Sequence, residues 1–514
     1  MNKKFYIEII FLIVIGALTS LSLPPLNYFI INFLTFSLFF LFLINKSNQH
    51  KNTKLFFFYG WLYGFGYFIS NLYWISISLS FDQSFKFLIP LTILLIPAFL
   101  ALFYGLLTFL LIVLKPKKII SSFFIFSLLF GIFEFIRGII FTGFPWNLIA
   151  YSFSNQLEVL SIISIIGTYS FNLVCITLFT SPALFLLRES KKEIIICISL
   201  FFIFILFYFY GSINKKKFEQ TDIKILDYKV RVIASNISLD RFYKNIDTIS
   251  VIEDLIEISK PNLTNKTIFV WPEGIIPNVY QDSFIEYKEI IEQKFSQNQI
   301  LIIGINKLSK KDNKKKYFNS LSVYNNKLNL INSYNKINLV PFGEFLPFEK
   351  TLKKFGLRSI TNNYQSFSRG HKRNIININQ DNFSLKILPL ICYEIIYSGQ
   401  LYENSNFDLI VNISEDGWFG KSIGPEQHFV HSIFRSIESG KYLVRSANNG
   451  VAAIINPIGN VEQRVNFGNT GYIDLKEIKR IQPTIFSKYG NKIFGFLILL
   501  YIFLLFSFNR INNE

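Results

Sequence analysis

Three reactive side chains stand beside apolar runs of the sequence, where a fold can hold them in place. Glu273 lies in "FVWPEG", Lys336 in "YNKINLVPFGEFLP" and Cys392 at the end of "KILPLIC". A thiol becomes a nucleophile when a base removes its proton, and a buried carboxylate can act as that base. A lysine ammonium can stabilise the thiolate and then the oxyanion of a tetrahedral intermediate. Together the three residue types suit nucleophilic attack on a carbonyl group.

Each of these residues also has a purely structural interpretation. A free cysteine in an apolar run is usually a small core residue. A glutamate after a Trp-Pro turn is usually a surface or capping residue, and a lone lysine is usually solvated. Only the combination of the three residues favours catalysis. Whether they act together depends on the secondary-structure elements that position them.

Between about residues 220 and 485 the sequence predicts a layered α/β domain. Short β-branched runs predict buried strands, and apolar residues at helical spacing predict helices. The predicted strands are 230–237, 267–271, 300–305, 384–393 and 408–414, with helices at 283–296 and 424–441, a hairpin over 318–336 and a solvated loop at 307–316. Layered α/β folds gather their sites at strand ends, so this domain is able to bring the three residues together.

The rest of the chain is typical of a membrane protein. Of its 514 residues, 51% are hydrophobic and 18% aromatic, which is more apolar surface than soluble cores of this length easily hide. Eight segments approach the roughly 20 apolar residues that cross a bilayer. They lie near 5–22, 27–44, 55–76, 87–114, 119–140, 158–187, 194–211 and 493–508. The predicted organisation is a transmembrane domain over 1–211, the α/β domain over 220–485 and an eighth helix over 493–508.

The charges of the short loops predict the orientation. Eleven Lys or Arg residues lie in the loops on one side of the predicted spans, whereas the opposite short loops carry only Lys86 and Arg137. The positive-inside rule then places the N-terminus in the cytoplasm and the α/β domain outside. The first segment is better interpreted as an uncleaved helix than as a signal peptide, because further spans follow at once. Much of the net charge of +18 therefore lies in the loops that set the orientation in the membrane, and nothing supports binding of nucleic acid.

Two further polar groups have open roles. His428 and His431 are spaced i, i+3 on the late helix, but the sequence offers no matching ligand cluster, so we interpret them as structural or substrate-facing and predict no metal. Glu134 and Arg137 in the fifth span form a plausible ion pair inside the membrane. That pair either supports the structure or helps to hold a lipid headgroup.

The motifs "WPEG", "YNKINLVPFGE" and "ICYE" resemble the Glu-Lys-Cys triad of the nitrilase superfamily. The spans and the motifs "TGFPWNLIAYS" (142–152), "DGWFGKSIGPEQH" (416–428) and "RSANNGVAAIINPIG" (445–459) narrow the resemblance to the apolipoprotein N-acyltransferase family of the bacterial inner membrane. The resemblance implies an α-β-β-α sandwich joined to a polytopic helical domain of eight spans. It also implies that Glu273 is the general base, Lys336 the oxyanion-stabilising cation and Cys392 the acyl-carrying nucleophile.

The same resemblance assigns supporting positions. Glu344 would orient or compensate Lys336, and four further residues match site-lining positions. These are Trp271, Tyr393, Glu394 and Trp418. Three places depart from the family pattern: Glu415-Asp416-Gly417 stands where Asn-Asp-Ala is common, Lys441 where arginine is common, and Ser235 where glutamine is frequent. The departures put local substrate contacts in doubt but leave the triad unaffected.

By resemblance, the reaction is a two-step acyl transfer. The acyl donor would be a phospholipid, expected to be phosphatidylethanolamine, and the acceptor the free amine of a diacylglyceryl-cysteine in an apolipoprotein. We expect a monomer in the inner membrane with a periplasmic catalytic domain and no cofactor. The segment 340–356 either dips its phenylalanines into lipid or packs as an ordinary loop. Alternative hypotheses are a membrane-tethered amidase for a small soluble substrate and a transporter with an accessory domain, although the spans carry too few charges to favour transport.

Overall fold

A computed structural model gives the structure of residues 3–49, 52–114, 116–244, 246–276, 278–311, 314–352, 354, 366–380, 383–402 and 405–510. The predicted membrane-contacting segment 340–356 therefore lies partly outside the described residues. The helices are α1 (Lys3–Thr19), α2 (Ile31–Gln49), α3 (Thr53–Leu72), α4 (Ile89–Leu114), α5 (Ile119–Ile139), α6 (Leu157–Leu160), α7 (Ile163–Leu186), α8 (Lys191–Glu219), α9 (Thr248–Ser259), α10 (Lys288–Lys294), α11 (Glu349–Leu352), α12 (Gly424–Ser439), α13 (Ile485–Tyr489) and α14 (Lys492–Arg510).

Long apolar helices form the N-terminal part of the molecule. Among the described residues, five helices are long and apolar enough to cross a membrane, namely α1, α4, α5, α7 and α8, and α14 is a shorter apolar helix. Helices α2 and α3 also lie at predicted positions, but the exact count of eight spans stays a prediction. Helix α7, which lies in the sixth predicted segment, is interrupted at Gly167, whose φ is 74°.

Small residues let three of these helices pack closely. A Cβ atom on Gly16 of α1 would come within 2.1 Å of the Tyr63 carbonyl oxygen of α3. A Cβ on Gly60 of α3 would come within 2.2 Å of the Tyr104 carbonyl oxygen of α4. Glycines at these contacts allow the backbones to approach as they do in other membrane helix pairs.

The C-terminal part is built on one sheet of twelve described strands. They are β1 (Ile223–Ser235), β2 (Thr267–Val270), β3 (Gln299–Lys311), β4 (Lys314–Asn325), β5 (Leu330–Asn335), β6 (Ile376–Gln380), β7 (Phe383–Ile391), β8 (Leu409–Glu415), β9 (Tyr442–Asn448), β10 (Ala452–Ile455), β11 (Val461–Val465) and β12 (Gly471–Lys479). The order is β5-β4-β3-β2-β1-β9-β8-β7-β6, with β12 paired to β1, and β10 paired to β9 and β11. The central strands β3, β2, β1, β9, β8 and β7 are parallel to their neighbours.

The two halves of the sheet face each other across one core. Inward side chains alternate along each strand, and residues such as Val232, Val270 and Ile302 from one half share a buried cluster with Ile387 and Val411 from the other. Outward residues of the first half pack against α9 and α10. Outward residues of the second half pack with α12 into the same core as the membrane helices. The predicted α-β-β-α sandwich is thus confirmed, and its second helical layer is shared with the membrane domain.

Most local predictions for this domain are confirmed. Each predicted strand overlaps a strand of the sheet, α12 ends at Gly440 with a left-handed φ of 67°, and β4 and β5 form the predicted hairpin. The helix predicted over 283–296 is shorter, because a 3-10 turn over Phe284–Tyr287 leaves only the seven residues of α10. The loop predicted at 307–316 is wrong: its described residues extend β3 and β4 as a paired hairpin.

Candidate active site

The fold brings the carboxyl ends of several strands to one end of the sheet. Glu273 lies three residues after β2, Lys336 follows β5 directly, and Cys392 follows β7 directly. Strand β5 runs antiparallel to β4, which runs antiparallel to β3, so β5 points the same way as the parallel strands. The three residues predicted from sequence therefore meet at one edge, where parallel sheets commonly hold their sites.

Glu273, Lys336 and Glu344 form a buried charge cluster. The ammonium of Lys336 lies 3.2 Å from Oε1 of Glu273 and 3.0 Å from Oε1 of Glu344, and its side chain is only 1% exposed. Asn319 donates from Nδ2 to both of these carboxylate oxygens, at 2.6 Å and 2.7 Å. The second oxygen of Glu273 accepts the backbone N–H of Glu415 at 2.9 Å. We call Glu273, Lys336, Glu344 and Asn319 the cavity cluster.

Cys392 stands on a tight turn that a carboxylate holds in shape. It opens a 3-10 helix over Cys392–Ile396 and has a left-handed φ of 48°, which is uncommon for a residue with a Cβ. Glu394 accepts the backbone N–H of Ile391 at 3.0 Å with one oxygen and that of Ile337 at 2.9 Å with the other. It also pairs with Arg373 at 2.6 Å. Glu394 thus links the turn of the thiol to the turn of Lys336.

A second charge cluster lies behind Cys392. Nη2 of Arg445 donates to both oxygens of Asp416, at 3.0 Å and 2.7 Å. Asp416 also accepts from the Ser414 hydroxyl at 2.7 Å and lies 2.9 Å from Nδ1 of His428. Nε2 of His428 lies 3.3 Å from the Cys392 carbonyl oxygen. We call Asp416, Arg445 and His428 the core cluster; all three are fully buried.

Burial and neighbouring charges shift the proton affinities at the site. Burial raises the pKa of the Cys392 thiol well above its usual range, and the Glu273 carboxylate raises it further, whereas Lys336 lowers it. Burial alone would lower the pKa of Lys336, but Glu273 and Glu344 raise it well above the usual value, so the ammonium stays charged. Burial also raises the pKa of Glu344. The resting pair is therefore a neutral thiol beside a fixed cation.

The site opens into a large apolar cavity between the sheet and the membrane helices. The cavity has a volume of about 1110 Å³. Its polar end holds the cavity cluster and Cys392, and its walls include Leu91, Leu95 and Phe99 of α4. Phe342 and Phe348 line it and are strongly exposed at its mouth. A cavity of this size and lining suits a long hydrocarbon chain whose reactive group reaches the polar end.

Two of the four predicted site-lining residues line this cavity. They are Tyr393, whose hydroxyl donates to the Gly143 carbonyl at 2.8 Å, and Trp418, which stacks on Phe242. Glu394 is fully buried in the turn beneath the site and acts there as a clamp. The expectation for Trp271 is wrong: its side chain lies on the outer face of the sheet and donates to Ser259 of α9 at 2.9 Å. Trp271 continues the outward face of Phe269, whereas Glu273 lies beyond the end of β2 and is turned towards the site by the loop rather than by strand alternation.

The departures from the family pattern have local partners. Glu415 forms a fully buried ion pair with Arg241 and accepts from Asn448 at 2.7 Å. Ser235 donates to Asn448 at 2.7 Å, and Lys441 lies over the ring of Phe407. Arg241 and Asn319 were missed by sequence reasoning, because each sits in a stretch with no distinguishing motif. Asn319 offers one signal in the sequence: it is a polar residue in the middle of β4 that has the same inward parity as Leu321 and Val323.

The Glu134–Arg137 ion pair inside the membrane domain forms as predicted. Glu134 also accepts from the Tyr104 hydroxyl at 2.6 Å, and Arg137 donates to the Phe144 carbonyl. Neither charged side chain lines the cavity described above. The pair therefore supports the loop at Phe144, which packs near Tyr393, and of the two roles left open the structural one is favoured.

The fold also brings together a potential ligand group that the sequence did not suggest. Ligand atoms of Cys392, Asp416 and His428 all lie within 4.8 Å of one another, so the expectation that His428 has no matching ligand cluster is wrong. Both Asp416 oxygens and both His428 ring nitrogens already have hydrogen-bond partners in the core cluster. These contacts assign Asp416 and His428 to positioning of Cys392. His431 packs instead against the ring of Tyr151.

Comparisons with known proteins agree with this geometry. Residues 15–181 match the family model of the apolipoprotein N-acyltransferase N-terminal domain, and residues 244–479 match that of carbon-nitrogen hydrolases. The chain is similar to proteins named apolipoprotein N-acyltransferase from Rickettsia typhi (32% identical over 93% of each chain), Rickettsia prowazekii (31%, over 93% of this chain and 94% of that one) and Rhizobium leguminosarum bv. trifolii (31%, over 89% and 88%).

Proposed function

The chain belongs to the apolipoprotein N-acyltransferase family, and we propose that Cys392, Glu273 and Lys336 carry out its lipoprotein N-acylation as a two-step transfer. The observation that carries the proposal is the Lys336 ammonium held between two carboxylates at the polar end of an apolar cavity that also contains the Cys392 thiol. Base, cation and nucleophile are then in place before substrate binds, as preorganised catalysis requires.

In the first step, the sulfur of Cys392 attacks the ester carbonyl of a phospholipid. Glu273 removes the thiol proton, and the Lys336 ammonium stabilises first the thiolate and then the oxyanion. When the tetrahedral intermediate collapses, the C–O bond breaks and Glu273 returns the proton to the leaving alkoxide. The products are an acyl thioester on Cys392 and a lysophospholipid.

In the second step, the thioester meets the α-amine of a diacylglyceryl-cysteine. An α-ammonium group has a pKa near 8, so it loses one proton to solvent near neutral pH and becomes the nucleophilic amine. The amine nitrogen attacks the thioester carbonyl and gives its second proton to Glu273; the C–S bond then breaks, the amide forms, and Glu273 passes that proton to the thiolate of Cys392. Each chemical change is matched by one proton on Glu273, so no cofactor is required.

The cavity supports lipids rather than small soluble molecules as substrates. Moving an acyl chain out of a bilayer costs about 0.8 kcal/mol per CH₂, so a lipid-using enzyme must open towards the membrane. Exposed Phe342 and Phe348 at the mouth fit contact with lipid. We extend the proposal to a phosphatidylethanolamine donor, a monomer in the bacterial inner membrane and a catalytic domain on the periplasmic side, in accord with the loop charges.

The acyl-enzyme provides the test. Wild-type protein incubated with phosphatidylethanolamine should carry one acyl group on Cys392, found by mass spectrometry of its peptides. Cys392→Ser should lose acyl transfer to a diacylated lipopeptide while remaining folded. Cys175→Ser and Cys197→Ser are the matched controls and should transfer normally, because both thiols lie in membrane helices. An acyl group on another residue, or transfer by Cys392→Ser, would contradict the mechanism. Release of free fatty acid as the main product would favour the amidase alternative.

A further inference from the structure

The paired extension of β3 and β4 reaches past the active site. Ile302 on β3 lies opposite Val270, near the end of β2, and β3 continues for nine more residues to Lys311. At about 3.3 Å per residue, the hairpin extends roughly 30 Å beyond that level. We call residues 307–311 and 314–318 the lysine hairpin, because the stretch 307–316 contains six lysines and one aspartate.

One face of the lysine hairpin is continuous with the cavity. Asn306 and Asn319 lie opposite each other and line the cavity, and Asn319 belongs to the cavity cluster. The next residues outward on that face are Leu308 and Tyr317, and Tyr317 packs against the cavity-lining Tyr280 with ring centroids 6.1 Å apart. Because side chains alternate along a strand, the following pair on the same face is Lys310 and Lys315.

The pair Lys310–Lys315 has properties expected of an anion-binding surface. The two residues are direct cross-strand partners, both are exposed, and neither forms an ion pair with a carboxylate of the described part of the chain. Like charges directly opposite on neighbouring strands destabilise a sheet, so folding alone does not favour this arrangement. Lys315 lies four residues, or about 14 Å, along β4 from Asn319. An anion bound at Lys310 and Lys315 would therefore lie outside the cavity, on the hairpin face that continues from Asn306 and Asn319.

We propose that the lysine hairpin binds the anionic headgroups of membrane phospholipids beside the cavity mouth. Charge complementarity and the apolar cavity that the base of the hairpin lines favour lipid over other anions, because lysines suit headgroups and the exposed Phe342 and Phe348 in the lining of that cavity suit acyl chains. The inference rests on the proposed function in one respect, namely that the cavity opens towards the membrane. It adds a lipid-binding surface that lies outside the catalytic residues.

The test uses full-length protein in detergent, titrated with phosphatidylglycerol or with zwitterionic phosphatidylcholine and read by native mass spectrometry. Lys310→Gln/Lys315→Gln should bind phosphatidylglycerol about 30-fold more weakly than wild type, as expected from removing two surface lysines. Binding of phosphatidylcholine should not change. The matched control is Lys294→Gln/Lys327→Gln, which removes two exposed lysines away from the hairpin, the last residue of α10 and a residue in the turn after β4, and should bind as wild type does.

Equal binding of phosphatidylglycerol by the hairpin variant and wild type would overturn the proposal, as would an equal loss in the control. A hairpin variant that binds lipid normally but has a raised KM for the lipopeptide would assign the surface to the acceptor instead, and would also overturn it. The acyl group on Cys392 is measured separately. A hairpin proposal that fails while the acyl-enzyme still forms leaves the proposed function standing.

Discussion

The two charge clusters beside Cys392 are both buried, but they differ in what their charges are able to do. The cavity cluster combines two carboxylates with one ammonium and borders the cavity. The core cluster pairs Asp416 with Arg445, and burial and the Arg445 charge lower the pKa of His428, so that its charges balance. A surplus carboxylate can accept a proton during a reaction, whereas a balanced pair can only hold its geometry. The difference separates chemistry from positioning within one small site.

The largest expected effect comes from removing the cation of the cavity cluster. Lys336→Met should lower the rate of acyl transfer by about 10³-fold, the upper range for loss of one oxyanion-stabilising group. The protein should still fold, because one of the two remaining carboxylates can keep a proton. Single-turnover formation of the acyl-enzyme measures the rate, with Lys327→Met as a surface control. A variant that acylates Cys392 at the normal rate would remove Lys336 from the mechanism.

Breaking the core cluster should instead affect stability first. Arg445→Met leaves Asp416 as a buried charge without its main partner, which should lower the free energy of unfolding by about 3–5 kcal/mol. Thermal unfolding in detergent measures the change. Arg464→Met removes a more exposed ion pair with Glu426 and should change stability by less than about 1 kcal/mol. If Arg445→Met unfolds like wild type but cannot form the acyl-enzyme, the distinction between the two clusters fails.

Asn319 tests whether the cavity cluster needs its neutral member. Asn319→Leu removes the donor shared by Glu273 and Glu344, and hydrogen bonds to charged groups are worth about 1.5–3 kcal/mol. We therefore expect acyl transfer to fall by roughly 10- to 100-fold. The acid limb of the pH–rate profile should move to higher pH, because this donor lowers the pKa of Glu344. A loss of rate without that movement would indicate a purely structural role.

The smallest effect, and the sharpest contrast, is in the dependence of stability on pH. Burial would raise the pKa of Asp416, but Arg445 and His428 lower it overall. The ionised Asp416 therefore adds to the free energy of unfolding above the unfolded pKa near 3.9, and this stabilisation is lost as pH falls. Burial raises the pKa of Glu344, so this residue affects stability in the opposite direction: its contribution to the free energy of unfolding is lost as pH rises through its pKa in the folded protein. Melting temperature against pH should therefore become flatter at low pH in Asp416→Asn. Glu344→Gln should become relatively more stable towards neutral pH, and identical profiles would contradict the comparison.

The sequence predicts the triad and the strands because each depends on local signals. Alternating β-branched runs mark β2, β7 and β8, and the reactive residues stand directly after such runs. Asn319 and Arg241 could not be predicted, since their importance arises from pairings between strands and loops far apart in the chain. Trp271 was misplaced because it was assigned to the site by resemblance of the motif around Glu273, which does not specify the face of the sheet that a side chain occupies.

Helix α12 shows a second limit of reading periodicity. It was predicted as a helix over 424–441 and begins at the predicted residue but ends two residues earlier; 15 of its 16 residues are buried, whereas α9 buries five of twelve. Polar residues on α12 find partners in the membrane domain: Gln427 accepts from Trp146 at 2.9 Å, and Glu438 accepts from Thr168 at 2.6 Å. A pattern with polar residues on one face predicts solvent there, and only the tertiary structure reveals a second protein layer instead.

Because α12 is enclosed on all sides, the boundary between the two parts of the molecule does not coincide with a place where the chain can be cut. A fragment expressed without the membrane helices would expose Phe429 and Phe434 to water. In that fragment, Gln427 and Glu438 would also lose their hydrogen-bond partners in the membrane domain. Such a fragment would be expected to aggregate. Anyone seeking a water-soluble version of this enzyme, for screening or for crystallisation, would have to redesign that helix rather than shorten the gene.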